Sequence, residues 1–119
     1  GVVIILSHMG NWELLAQLGP IFYPDASIST IYRPLNNPHF DRIIADRRRR
    51  RGMTLFAKKD AIRGPAAFLR QGGIVNILSD QRAGRAGALC PLYGRLMSVT
   101  PLPSILQRRT GCEVIGLSV

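Results

Sequence analysis

Apolar positions in this chain come in two rhythms that alternate from end to end. Val2 to Leu6 is an unbroken apolar, mostly β-branched run, which predicts a strand covered on both faces. "HMG" then reads as a turn, with Asn11 as N-cap of a short helix, "WELLAQLG", ending near Gly19-Pro20. "SISTIYRP" predicts a second strand, stopped by Pro34. "NNPHFDRIIADRRRRRG" predicts a helix with Asn37 as cap, Pro38 at its first position and Gly52 past its end. "MTLFA" predicts a third strand, and "DAIRGPAAFLRQGG" a helix starting at Pro65 and closed by Gly72-Gly73. "IVNILSD" predicts a fourth strand, and "QRAGRAGALCPLYGRLMSV" a Gly-rich loop with one short strand. "TPLPSILQRRTG" predicts a helix capped at Thr100, and "EVIGLSV" a last strand. Strands joined by helical crossovers give an α/β chain, layered α/β/α around a largely parallel sheet.

Length and composition narrow this picture. The 119 residues make one domain or part of one. The chain starts and stops inside strand-like runs, so the expectation is a fragment of a larger domain. Cys90 and Cys112 have no metal-ligand spacing and are too few for a disulfide framework, which fits a reduced, cytosolic setting. No run approaches the roughly 18 consecutive apolar residues of a spanning helix, and the N-terminus does not resemble a signal peptide.

The formal charge of +9 points to acidic partners such as nucleic acid, anionic lipid, a phosphorylated substrate or an acidic carrier protein. Fourteen of the sixteen basic residues are arginine, the side chain suited to bidentate contact with phosphate and carboxylate. High-GC codon usage could produce the same bias.

His8 follows directly on the first strand, where α/β sheets gather ligands. Glu13 falls in the first turn of the next helix, and Gly10 lets the turn fold back so that the two could meet. A histidine whose second nitrogen faces a carboxylate is fixed in one tautomer and strengthened as a base, able to take a proton from a hydroxyl as its oxygen attacks an acyl carbonyl. The spacing alone equally fits a turn histidine and an ordinary helix N-terminal glutamate. No serine, threonine or cysteine stands out as an activated nucleophile, since Ser7 would point away from His8. With two histidines, a His-rich metal site is not expected. Direct attack by a substrate hydroxyl is the simplest chemistry this inventory allows.

The helix from Pro38 carries a second signal. Its stripe Phe40, Ile43, Ile44 runs on, at helical spacing, to Arg47, Arg48 and Arg51. Seven arginines lie between 33 and 51, Arg33 among them. Dipole complementarity and snorkelling stems account for two or three, and the rest invite an anionic ligand. A nucleic-acid patch would carry interleaved aromatics, which the segment lacks. Asp80 and Gln81 form the third signal. Both follow a strand end on the presumed ligand side, where Asp80 could orient an arginine, line the pocket, or simply cap a turn. "PLYG" and the helix at Thr100 could add a pocket wall.

Four blocks in order resemble the bacterial lipid A biosynthesis acyltransferases, the lauroyl/myristoyl acyltransferases of the lysophospholipid acyltransferase fold. They are "SHMGNWE", with its His-x4-Glu pattern; "YRPLNNPHFDRIIADRRRRRG"; "GGIVNILSDQ"; and "PLYG" followed by "TPLPSILQRRTGCEVIGL". The resemblance spans essentially the whole chain. It implies the central catalytic part, residues 1–119, of a single acyltransferase domain whose N-terminal membrane helix and C-terminal part lie outside this sequence. The implied enzyme works at the cytoplasmic face of the bacterial inner membrane. It moves a fatty acyl chain from acyl carrier protein to a hydroxyl of an anionic glycolipid, a lipid A precursor. His8 would be the general base and Glu13 its partner. Arg48, with Arg47 and Arg50 as rivals for the same role, would bind substrate phosphate or stabilise charge, and Arg33, Asp80, Gln81 and Asn11 would line the site. No metal, nucleotide or other cofactor is implied, and no nucleic acid. Leu92 and Tyr93 stand where the family commonly has two phenylalanines, which bears on acyl-chain fit. A sister branch acylating phosphatidylinositol mannosides would use the same residues, and a non-catalytic module binding anionic lipid or nucleic acid is the reading of a different class.

Overall fold

The structure is a computed structural model that describes residues 1–118, the Ala16 side chain apart. Its elements are β1 (Val2–Leu6), α1 (Trp12–Phe22), β2 (Ile28–Tyr32), α2 (Pro38–Arg50), β3 (Thr54–Ala57), α3 (Arg63–Arg70), β4 (Ile74–Leu78), β5 (Ala88–Leu92), β6 (Arg95–Val99), α4 (Leu102–Thr110) and β7 (Glu113–Leu117). Five strands form a sheet in the order β3-β2-β4-β1-β7, every neighbouring pair parallel. The expected layered α/β architecture is present, with helices packed on the sheet.

Topology decides which helices share a face. The chain steps one way along the sheet from β1 to β2 to β3 and the other way from β3 to β4 to β7. Right-handed crossovers in opposite directions put α1 and α2 on one face and α3 and α4 on the other. Contacts agree: α3 packs on α4, and a side-chain pair ties α1 to α2. The tightest core lies under α3 and α4, where Val3, Val75 and Ile77 of the sheet meet Ala66, Leu69, Leu106 and Cys112. Leu69 and Leu106 are essentially inaccessible to solvent. Burying such side chains is worth about 1.5–3 kcal/mol each.

Element ends follow local chemistry. Asn37 accepts hydrogen bonds from the His39 and Phe40 amides, and Gly52 takes φ +84° after α2, as the sequence predicts. Helix α1 overruns its expected stop and carries Pro20 to Phe22. A proline in the last turn removes few bonds, and the Tyr23 amide closes the end on the Gly19 carbonyl. Helix α3 starts at Arg63, so Pro65 sits in its first turn, where no amide partner is needed.

The Gly-rich segment departs further from expectation. It forms two strands, not one, β5 and β6 paired antiparallel through a two-residue loop. Tyr93 and Gly94 both have positive φ, 48° and 75°, as a tight hairpin turn of this length demands. Tyrosine is uncommon in that conformation, so the turn is hard to read from sequence. No helix among the described residues is long and apolar enough to cross a membrane.

Candidate active site

Strand register builds the site. Leu6 of β1 pairs with Leu78 of β4, so His8 and Asp80 lie equally far past the last paired residues of adjacent parallel strands. They meet there. His8 Nδ1 is 2.7 Å from Asp80 Oδ1, and the His8 backbone amide donates to Asp80 Oδ2 at 2.7 Å. A carboxylate can only accept, so Nδ1 carries the proton, and in the neutral ring Nε2 keeps its lone pair. The Trp12 ring stands edge-on to the imidazole with centroids 5.1 Å apart. Asp80 is held below the ordinary carboxylate range: burial pushes it up, and the two His8 hydrogen bonds, its own backbone amide and the charge His8 carries when protonated outweigh that.

This geometry corrects the expected partnership of His8 with Glu13. The carboxylate on the imidazole belongs to Asp80, and Glu13 turns to α2. Arg48 Nε donates to Glu13 Oε1 at 3.1 Å and Arg48 Nη2 to Oε2 at 2.6 Å, a two-pronged pair, while Gln17 Nε2 donates to Oε1 at 3.1 Å. The physical reason is reach. Glu13 lies on the first turn of α1, packed toward α2, whereas Asp80 sits one strand over at the level of His8. Burial raises the Glu13 pKa, but the hydrogen bonds and charge of Arg48, with Gln17, more than offset it and leave the carboxyl below its ordinary value.

Helix α2 presents a different face from the one its apolar stripe suggested. Phe40, Ile43 and Ile44 all remain at least a third exposed, and the positions facing the cavity are Asp41, Ile44, Ala45 and Arg48, so the expected stripe shares only Ile44 and Arg48 with the inward face. The stripe was one residue out of phase because small Ala45, not the isoleucines, makes the close approach. Of the five consecutive arginines only Arg48 is drawn in. Arg47, Arg49, Arg50 and Arg51 are exposed, with Arg49 loosely paired to Asp46 at 3.8 Å.

A cavity of about 740 Å³ opens over the carboxyl ends of β1, β2 and β4. Its floor includes Leu6, Tyr32, Asn76 and Leu78, and Thr100, Pro101 and Leu102 form one wall. His8, Arg33, Arg48 and Gln81 line it. So do Lys58 and Arg82, two cations that sequence reasoning missed because neither belongs to a recognisable block. Four cations thus face the cavity against one carboxylate, Asp41, whose Oδ1 accepts the Leu35 amide. Glu13 and Asp80 stand behind Arg48 and His8 without lining the cavity themselves. Asn11 does not line it either; its side chain caps α1 by accepting the Leu14 amide at 3.1 Å.

The arrangement offers an oriented imidazole, a guanidinium fixed by a carboxylate, and a cavity lined by four cations. No curated protein matches the chain. The family model for bacterial lipid A biosynthesis acyltransferases matches residues 1–119, from the first residue to the last, and the chain belongs to that family.

Proposed function

We propose that this acyltransferase moves a fatty acyl group from the thioester of acyl carrier protein to a hydroxyl of an anionic glycolipid, a lipid A precursor, at the cytoplasmic face of the inner membrane, with His8 as general base. The observation that carries the reading is the His8–Asp80 contact at the cavity edge: it fixes the proton on Nδ1 and leaves Nε2 free to accept one.

In this reading the acceptor hydroxyl enters the cavity and hydrogen-bonds to Nε2. Its oxygen attacks the thioester carbonyl as the proton passes to Nε2, and the imidazolium that forms is stabilised by Asp80. The tetrahedral intermediate collapses with loss of the thiolate, which recovers the proton from Nε2. An ester and a free thiol result, and no acyl-enzyme forms. Arg48 spends Nε and Nη2 on Glu13, so its plane is set and Nη1 remains for the negative charge of substrate or intermediate. Glu13 acts through Arg48, not through His8. Arg33, Lys58 and Arg82 attract the anionic groups of the acceptor, and Gln81 adds a neutral polar group beside them.

Acyl transfer from acyl carrier protein to a phosphorylated glucosamine lipid, measured for wild type and His8→Ala, tests the proposal. It expects turnover in the wild type and loss of at least a thousandfold in kcat in the variant, with acceptor binding retained. Undiminished turnover in His8→Ala would overturn it.

A further inference from the structure

The β5–β6 hairpin stands off the body of the protein. All five residues of β5, Ala88 to Leu92, are exposed, and none carries a charge. Leu89 is 68% exposed, Leu96 69% and the turn residue Tyr93 98%. The register puts Leu89, Pro91 and Leu96 on one side of the ribbon and Cys90, Leu92 and Met97 on the other. Both sides thus carry apolar side chains, with Ser98 at the base of the first side and Arg95 beside Leu92 at the tip of the second, and both strands are open to solvent toward the tip.

Charge around the ribbon has one sign. Residues 81 to 112 contain Arg82, Arg85, Arg95, Arg108 and Arg109 and no aspartate or glutamate. Arg82, Arg85 and Arg95 are exposed. The hairpin is also joined to the cavity. Arg82, Ala83 and Ala86 just before it, and Thr100 to Leu102 just after it, line the cavity. The Ala83 amide bonds to the Ser98 carbonyl and the Ser98 hydroxyl to the Gly84 carbonyl, which ties β6 to that rim.

We propose that this hairpin is an interfacial wedge that seats the cavity mouth on an anionic lipid bilayer. The proposal rests on the lipid-acceptor reading above and gives it an orientation. A protein partner covers one side of a ribbon, but a fluid apolar medium covers both. An exposed apolar patch rimmed by cations matches a bilayer whose surface is negative. Tyr93 at the tip has the amphipathic ring favoured at headgroup depth. The outer edges of a two-stranded ribbon keep unpaired amides, which limits insertion to the headgroup region, and Pro91 removes one of those amides. An acceptor lipid could then reach the cavity without leaving the membrane surface.

The test labels Cys90 with an environment-sensitive fluorophore, since Cys90 is exposed and Cys112 buried. The purified protein is mixed with vesicles of phosphatidylcholine alone or of phosphatidylcholine with phosphatidylglycerol. The proposal expects a blue shift and quenching by brominated lipid on anionic vesicles. It expects at least tenfold weaker binding for Leu89→Ser/Leu92→Ser/Leu96→Ser, and loss of the anionic preference for Arg85→Gln/Arg95→Gln. Circular dichroism matching wild type confirms that the variants fold. An unshifted label, or binding unchanged in the triple variant, overturns the proposal. So does a wild type that is dimeric without vesicles and a triple variant that is monomeric, because a second copy then covers the ribbon. The readout needs no acyl donor. A bound, shifted label in a protein without transferase activity defeats the catalytic reading alone, and an unshifted label in an active enzyme defeats the hairpin alone.

Discussion

Glu13 holds Arg48 by two hydrogen bonds, 3.1 and 2.6 Å long, across 35 residues of sequence, and so locks the first turn of α1 to the last turns of α2. A guanidinium fork matched to a carboxylate is a geometry that lysine cannot reproduce. The pair is half-buried, with Arg48 the better covered partner. Glu13→Gln should therefore destabilise the fold by about 1–2 kcal/mol in urea titrations, and Arg48→Lys should not restore wild-type behaviour.

The five arginines at 47 to 51 should separate sharply on mutation. Arg47→Gln and Arg50→Gln alter exposed side chains and should change stability by less than about 0.5 kcal/mol. Arg48→Gln removes the group between Glu13 and the cavity. It should cost about a hundredfold or more in kcat/KM for acyl transfer. Parallel purification and kinetics of the three variants check this.

Acid should weaken the site in a defined direction. Glu13 and Asp80 are both held below their ordinary values, so each stabilises the fold fully above the unfolded carboxylate range of about 3.9–4.3. That contribution is lost as pH falls through the lowered folded values. Between pH near neutral and about 5 stability should change little on their account, and below about 4 it should fall. Thermal melts of Glu13→Gln and Asp80→Asn across this range should show flatter acid limbs than the wild type.

Core and site should be separable. Leu106 is fully buried where α4 meets the sheet and takes no part in the cavity. Leu106→Ala should lower stability by about 2–5 kcal/mol. Transfer activity per folded molecule, measured well below the melting temperature, should stay near that of the wild type.

Much of this was legible in the sequence. The alternation of apolar runs and capped amphipathic segments predicted the parallel α/β sheet, because buried strands and caps leave local signatures such as Asn37-Pro38 and Gly52. The cavity residues His8, Arg33, Arg48 and Gln81 were likewise nameable, since each follows a strand end or sits in a dense cationic stretch. The partnerships were not. Asp80 reaches His8 only because β4 lies beside β1 in register, and strand order is a non-local property that spacing along the chain does not carry. Glu13, five residues from His8, is nearer in sequence yet faces another helix. Helix α2 is rotated by about one residue from its hydropathy, and the Tyr93-Gly94 turn hides a hairpin behind an unusual residue.

Asp80→Asn should keep the shape of the contact while offering a donor to Nδ1, which moves the imidazole proton to Nε2. The expected result is a loss of kcat on the order of a thousandfold or more with KM little changed.

Nitrogen NMR of the imidazoles reaches the central claim most directly, and with only His8 and His39 to assign, a His39→Gln variant identifies each signal. At mildly alkaline pH His8 should be the Nδ1–H tautomer with an unprotonated Nε2, reversed in Asp80→Asn. A His8 ring carrying its proton on Nε2 in the wild type would contradict it.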